Sequence, residues 1–372
     1  MIIDPPEFRQ QLQSALGPAY SLERELGGGG MSRVFLAHEI RLERDVVIKV
    51  LAPELAEGVS AERFERELRT VARLQHPNIV PVLTAGSSDG LPYYTMPFIR
   101  GESLRALLNA GTVTSRSAMR LLRDVAHALA YAHAEGVVHR DIKPENVLIA
   151  DGIAVVTDFG ISKAIDASRS RSADGPLTQL GLALGTPAYM APEQAAGDPD
   201  TDLRADLYAW AVMAYECLTG AHPFAGKRTG QAYIAAHMIE RPVPLEARNP
   251  SLPAPVTTLV MQCLEKDRDA RPASARALVD ALESSVAATH AESHAETVVG
   301  DRTARTPVRE GLSIAVLPFV NLSADPENEY FSDGITEEIR NLLAQDRGIR
   351  VAARLSSFAF KRNPVDLRVI AN

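Results

Sequence analysis

The chain has 372 residues, 46% hydrophobic and 23% charged, enough for one large domain or two smaller ones that each bury a core, and too apolar for global disorder. A formal net charge of -8 argues against a broad nucleic-acid surface and names no other partner. The only cysteines, Cys217 and Cys263, sit far apart in apolar stretches, as suits buried free thiols in a reducing compartment and hence a cytoplasmic protein. The first sixteen residues include Asp4, Pro5, Pro6 and Glu7 and lack the basic start and apolar core of a signal peptide. No window reaches the apolar length of a bilayer span, so we expect none in this chain.

Residues 1–14 read as an extension ahead of a domain over 15–285. From Tyr20 to Phe98 the pattern is strand-rich, with apolar runs at Val34–Ala37, Asp45–Leu51 and Leu91–Ile99, and Ser88-Asp89-Gly90 reads as a hairpin turn. One helix interrupts it, about Ala61 to Leu74, with Phe64, Leu68, Val71 and Leu74 on one face. After Gly101 helical periodicity takes over, at Ser117–His133 and Ala205–Leu218, so a small sheet lobe precedes a larger helical one. Residues 286–311, rich in Ala, Ser, Thr, His and charge, have the composition of a flexible linker. Beyond it, Ile314–Pro318 reads as a strand and Glu329–Ala344 as a helix with Phe331, Ile335, Ile339 and Leu342 on one stripe.

Leu26-Gly27-Gly28-Gly29-Gly30-Met31-Ser32-Arg33-Val34 is a glycine-rich turn between apolar strands. Without side chains, its backbone N–H groups can approach phosphate oxygens. Four glycines alone fit a merely flexible turn, and a dinucleotide-binding turn would want a helix next; the next segment, Val34 to Ala37, reads as a strand. Lys49 lies in Val46-Val47-Ile48-Lys49-Val50, where a buried ammonium needs a partner. Glu67 on the following helix can supply it, although a lysine snorkelling at a strand edge explains Lys49 alone equally well.

The string His139-Arg140-Asp141-Ile142-Lys143-Pro144-Glu145-Asn146 is followed twelve residues on by Asp158-Phe159-Gly160, and later by Ala191-Pro192-Glu193. In order and spacing these resemble the bacterial eukaryotic-type (Hanks-type) serine/threonine protein kinases. The resemblance implies an α+β, two-lobed protein kinase fold and transfer of the γ-phosphoryl of ATP, with Mg²⁺ or Mn²⁺, to Ser/Thr hydroxyls of protein substrates. It implies Asp141 orienting the acceptor hydroxyl, Lys143 facing the γ-phosphate, Asn146 and Asp158 as metal ligands, and Lys49 on the α- and β-phosphates, held by Glu67. The nucleotide would lie under Leu26 to Ser32 and Val34, with its adenine against Met96, Pro97 and Ile99; the hinge position of Pro97 offers a carbonyl, so its missing N–H is no loss. His139 would pack with Phe159, Val71 and Val82 rather than move a proton.

Gly185-Thr186-Pro187-Ala188-Tyr189 is similar to the serine/threonine form of the substrate platform, with Thr186 facing Asp141 and Lys143. Two ion-pair braces are implied, Glu193 with Arg271 and Asp206 with the catalytic loop. Thr178 is the leading activation phosphosite, ahead of Ser168, Ser170 and Ser172; a homodimer would permit autophosphorylation. Ser32 departs from the family pattern by replacing its third glycine. An inactive ATP-binding scaffold is the rival reading, and a dinucleotide-dependent oxidoreductase lacks the acidic ribose-binding position it needs.

Ser313 to Asn372, with Ser313-Ile314-Ala315-Val316-Leu317-Pro318-Phe319 and Phe331-Ser332-Asp333-Gly334-Ile335-Thr336, resembles the start of a TolB-like domain. It ends on the apolar Val369-Ile370-Ala371-Asn372, which fits either a partial domain or a small appendage.

Overall fold

A computed structural model describes residues 5–29, 32–52, 56, 60–88, 90–161, 164–165, 187–284, 312–314, 316 and 349–351. The chain divides into two units, Met1–Glu296 and Thr297–Asn372.

The first unit opens on helix α1 (Pro5–Leu16), where prolines are tolerated because first-turn N–H groups have no intrahelical partner to lose. Its Phe8, Leu12 and Leu16 recur every four residues and are buried, in one cluster with Phe35, Val46 and Ile48 of the sheet. Gln13 ties the helix end down: its amide donates to the Tyr20 carbonyl at 2.8 Å and its oxygen accepts the Leu22 N–H at 2.8 Å. The stretch read from sequence as an extension thus packs as part of the sheet lobe. Its amphipathic stripe is only three residues long, too short to stand out as a period.

Strands β1 (Tyr20–Gly29), β2 (Ser32–Glu39) and β3 (Arg44–Leu51) come next, then helix α2 (Ala61–Val71), then β4 (Thr84–Ser88) and β5 (Leu91–Pro97). They form one antiparallel sheet in the order β1-β2-β3-β5-β4. Ser88 pairs with Leu91 across the expected hairpin, where Gly90 takes a φ of +81°, a left-handed value that costs glycine little. Phe64, Leu68 and Val71 are buried as the periodicity requires. The helix ends three residues earlier than expected, because Arg73 and Leu74 donate to the carbonyls of Thr70 and Val71, i→i+3 bonds that tighten the last turn.

The helical lobe contains β6 (Glu102–Ser103), α3 (Leu104–Asn109), α4 (Ser115–Ala134), β7 (Val147–Ala150), β8 (Ile153–Val156) and α5 (Arg204–Thr219). Thr114 and Ser117 cap the start of α4 reciprocally. Helix α5 is buried from Ala205 through Tyr215, the mark of a helix enclosed on all sides. Its Trp210, the one tryptophan of the chain, is fully buried and donates Nε1–H to the Leu122 carbonyl on α4 at 3.0 Å. Helices α6 (Gly230–Ile239), α7 (Ala254–Cys263) and α8 (275–284) complete this lobe. Cys217 and Cys263 are free and buried, and desolvation pushes each thiol up to about 12, which makes them packing groups rather than nucleophiles.

In the second unit β9 (Leu312–Ile314) pairs in parallel with β10 (Ile349–Val351). The expected strand over 314–318 meets β9 at Ile314, while Ala315, Leu317 and Pro318 lie outside the described residues. The linker over 286–311 and the helix over 329–344 lie outside the described residues. Among the described residues no helix is long and apolar enough to cross a membrane.

Candidate active site

The glycine-rich turn closes the β1–β2 hairpin, with Gly27 opposite Val34, Gly28 opposite Arg33 and Gly29 opposite Ser32; Gly30 and Met31 lie outside the described residues. A Cβ at Gly28 would sit 2.9 Å from the Ser32 carbonyl oxygen, so the close approach of the two strands requires glycine there. The element after this turn is a strand and not a helix.

Lys49 lies opposite Val34 on one side and Tyr94 on the other. Its Nζ is 2.6 Å from Asp158 Oδ2, and the Tyr94 hydroxyl donates to Asp158 Oδ1. Desolvation is the largest influence on the Asp158 carboxyl and raises its pKa, but Lys49 and Tyr94 together outweigh it and hold the carboxyl below its ordinary value. This corrects one expectation: among the described residues the ion-pair partner of Lys49 is Asp158, whereas Glu67 lies 3.6 Å from its exposed neighbour Arg66. A buried ammonium needs one close carboxylate, and Asp158 already fills that place.

The His139 loop is fixed largely through its own backbone. The Asp206 carboxylate accepts N–H of His139 at 2.8 Å and of Arg140 at 2.7 Å, and lies 2.8 Å from His133 Nε2, so the expected brace from Asp206 to this loop is present. His139 Nε2 bonds the Thr157 carbonyl at 2.9 Å while its Nδ1 accepts the Asp141 N–H at 3.2 Å. The ring therefore carries its proton on Nε2 and spends both nitrogens on the backbone. Its centroid is 4.6 Å from that of Phe159, and Val71, Phe159 and the half-buried Val82 pack together in one cluster, which makes His139 a packing residue.

Asp141 Oδ2 is 2.6 Å from Lys143 Nζ, and Asn146 Nδ2 donates to the Asp141 carbonyl at 2.9 Å and to Oδ2 at 3.2 Å. Arg140 and Asp158 adopt φ values of +69° and +68°, a left-handed backbone that costs non-glycine residues on the order of 1–3 kcal/mol each. One strained residue precedes Asp141 and the other is Asp158 itself, so the strain sits at the two carboxylates of the site. Gly160 takes +63° with no room for more: a Cβ would meet Val71 Cγ2 at 2.8 Å.

Met96 closes the back of this region, nearly buried and accepting the Thr157 hydroxyl hydrogen bond at its sulfur, 3.3 Å away; Pro97 and Ile99 are half-buried at the start of the connector. Thr186 and Thr178, with Ser168, Ser170 and Ser172, lie outside the described residues. Beyond Thr186, Glu193 and Arg271 form a buried bidentate pair at 2.7 and 2.8 Å, as expected.

Three polar features have no mark in the sequence pattern alone. Tyr94 is one, although its register opposite Lys49 is available once β3 and β5 are read as neighbours. Another is Arg105 of α3, whose guanidinium bridges Glu145 at 2.8 Å and Glu216 at 2.7 Å and reaches the Tyr189 hydroxyl; three distant positions converge there, and no local pattern marks that. The third is a pair of histidines, His222 and His237, beside Ala188.

Removing the ammonium by Lys49→Met should leave the buried Asp158 with only hydroxyl partners. Its carboxyl pKa should then rise, because the desolvation that Lys49 offsets is left uncompensated. The thermal midpoint should drop more at neutral pH than at pH 4. An equal drop at both would show that Lys49 does not hold the Asp158 charge.

The chain belongs to the protein kinase domain family, which it matches over residues 20–282. It is similar to serine/threonine-protein kinase pkn2 of Myxococcus xanthus, 40% identical over 70% of this chain and 31% of that protein. PknD of Mycobacterium tuberculosis is 39% identical over 82% of this chain and 45% of its own length, and PknB of the same species is 40% identical over 69% and 41%. The chain thus spans less than half the length of these relatives. The crystal structure of the Mycobacterium tuberculosis PknI kinase domain superposes with a TM-score of 0.56 at 28% identity, over 73% of this chain and 99% of that one, and the two-lobed kinase fold is shared.

Proposed function

We propose that this chain is a serine/threonine protein kinase that moves the γ-phosphoryl group of ATP to Ser or Thr hydroxyls of proteins. The observation that carries the reading is the formation of two charge pairs, Lys49 with Asp158 and Lys143 with Asp141, the second also bonded by Asn146, whose loops are tied together by the Thr157 N–H on the Asn146 carbonyl at 2.9 Å. Phosphoryl transfer asks little more of a protein than positioned charge. The donors also fit the groups this family implies. A hard divalent cation prefers oxygen ligands, which the Asp158 carboxylate and the Asn146 amide carbonyl supply, and the glycine hairpin brings its two strands so close at Gly28 that no side chain fits there, which leaves bare backbone to face a phosphate. Bound there, the metal would neutralise phosphate charge. Asp141 would receive the acceptor's proton, Lys143 would stabilise the moving phosphoryl oxygens, and Lys49 would exchange Asp158 for the α- and β-phosphates. Glu67 would hold Lys49 once the lysine has left Asp158.

Control would fall to Thr178. Arg140 Nε is buried and has no hydrogen-bond partner among the described residues, a donor suited to a phosphate oxygen. Magnesium as the metal, a cytoplasmic location and autophosphorylation in a homodimer belong to the same proposal, as does a TolB-like reading of residues 312–372, where the parallel β9–β10 pair suits an α/β segment. The test incubates phosphatase-treated chain with labelled ATP and Mg²⁺ or Mn²⁺, with and without casein, and maps the labelled residues. Label on Ser and Thr, a rate that climbs with pre-incubation, and loss of that climb in Thr178→Ala are expected. Nucleotide binding without any label would instead support the scaffold.

A further inference from the structure

His222, in the loop after α5, and His237, on α6, aim their Nε2 atoms at one backbone oxygen, the carbonyl of Ala188, from 2.6 and 2.8 Å. A carbonyl oxygen has two lone pairs and accepts both only if each Nε2 carries the proton, which leaves each Nδ1 as an acceptor. Both Nδ1 atoms have the donor this requires. The Phe224 N–H lies 3.1 Å from Nδ1 of His222, and the Tyr208 hydroxyl lies 2.9 Å from Nδ1 of His237. Lys266 Nζ in turn donates to the Tyr208 oxygen at 3.1 Å. Each ring is therefore neutral, in one tautomer, with both nitrogens occupied. Desolvation keeps them so, lowering the pKa of both and that of His237 to about 4.

Their orientations are fixed from the sides as well. Tyr189 and Tyr233 stand edge-on to the His222 ring at 5.5 and 5.0 Å, and Phe224 stands edge-on to His237 at 4.9 Å. A loop carbonyl at a protein surface is ordinarily satisfied by one N–H or by water. Two braced rings on one such oxygen fix it in direction as well as in distance. Ala188 belongs to the helical turn Pro187–Tyr189, two residues beyond Thr186. A few residues on, Gln194 accepts the Ala191 N–H at 3.0 Å and donates to the Arg140 carbonyl at 2.9 Å. The clamped turn is thereby coupled to the residue preceding Asp141.

We propose that His222 and His237 are positioning residues for the protein acceptor: by holding the Ala188 carbonyl they set the turn against which the acceptor segment lies and its height relative to Asp141. This rests on the phosphotransfer reading above and on Pro187–Tyr189 being part of the platform. The two histidines act through Ala188 and touch neither nucleotide nor Asp141, so their loss separates the two substrates kinetically.

The test uses the full chain with casein as acceptor, and measures KM for casein, KM for ATP, acceptor-free ATP hydrolysis and the thermal midpoint for His222→Phe, His237→Phe, His222→Gln and His237→Gln. Phenylalanine keeps the ring but removes the donor, and glutamine can place an amide N–H where Nε2 was. Each Phe variant should raise the casein KM about tenfold, the scale of one lost hydrogen bond, with ATP KM and ATP hydrolysis changed by less than about twofold. Each Gln variant should recover most of the casein KM. The half-buried His222 carries the result if His237→Phe does not fold. An unchanged casein KM, a parallel rise in both KM values, or a loss that Gln does not rescue overturns the positioning role. An unsubstituted chain that labels no acceptor overturns the phosphotransfer reading, and this one with it.

Discussion

Asp141→Asn is expected to leave ATP bound with nearly unchanged affinity while phosphate transfer to an acceptor falls by about 10²–10⁴-fold, the span a positioned general base contributes. The substitution is close to isosteric, and Asp141 contacts Lys143 and Asn146, whereas Lys49 and Asp158, which would hold the nucleotide, pair with each other. The amide can still accept from Lys143, so the loop should stay in place and the melting temperature should move little. Nucleotide titration and single-turnover transfer, measured on one preparation, separate the two effects. Transfer within a few-fold of the parent would remove Asp141 from the chemistry, and an equal loss of ATP affinity would place it against the nucleotide.

The second large effect is on stability. Arg271 is almost wholly buried; besides the bidentate pair to Glu193 it donates to the carbonyls of Glu265 at 2.9 Å, Lys266 at 3.2 Å and Arg204 at 3.0 Å, and its guanidinium lies 4.9 Å from the Tyr208 ring centroid. Arg271→Ala leaves a buried carboxylate without a counter-charge and takes a donor from three carbonyls. Removing one partner of a buried pair costs about 3–5 kcal/mol, enough to lower the midpoint of the helical lobe by many degrees in a circular dichroism melt. The double variant Arg271→Met with Glu193→Leu should be less destabilised than Arg271→Ala, because it removes the stranded charge with its partner. A single variant that melts like the parent would show that solvent reaches Glu193 freely.

Much of the fold was legible because its signals are local. The α2 stripe of Phe64, Leu68 and Val71, the turn at Gly90 and the enclosed helix around Trp210 each arise from residue periods or from one backbone requirement. The fixed order of short motifs was enough for the Asp141 and Asp158 loops. What escaped was settled by long-range competition. Lys49 could have paired with Glu67 or with Asp158; both are carboxylates at plausible positions, and only the placement of α2 against the sheet decides between them. Phe8, Leu12 and Leu16 form too short a stripe to announce a core element, yet they cover a sheet face that nothing in their own segment reveals. The convergence of His222 and His237 on Ala188 joins residues 34 and 49 positions away from it, a distance over which sequence carries no geometric record.

Trp210 makes the molecule optically lopsided. As the lone indole, enclosed between α5 and α4 with its N–H committed to Leu122, it reports by its emission on the cohesion of the helical lobe, and it has no direct view of the glycine hairpin, Lys49 or α1. A fluorescence melt of this chain therefore tracks one lobe. If the sheet lobe loosens first, the signal will stay flat through that event, and a tryptophan substituted for Phe35, beside Phe8, would supply the missing channel.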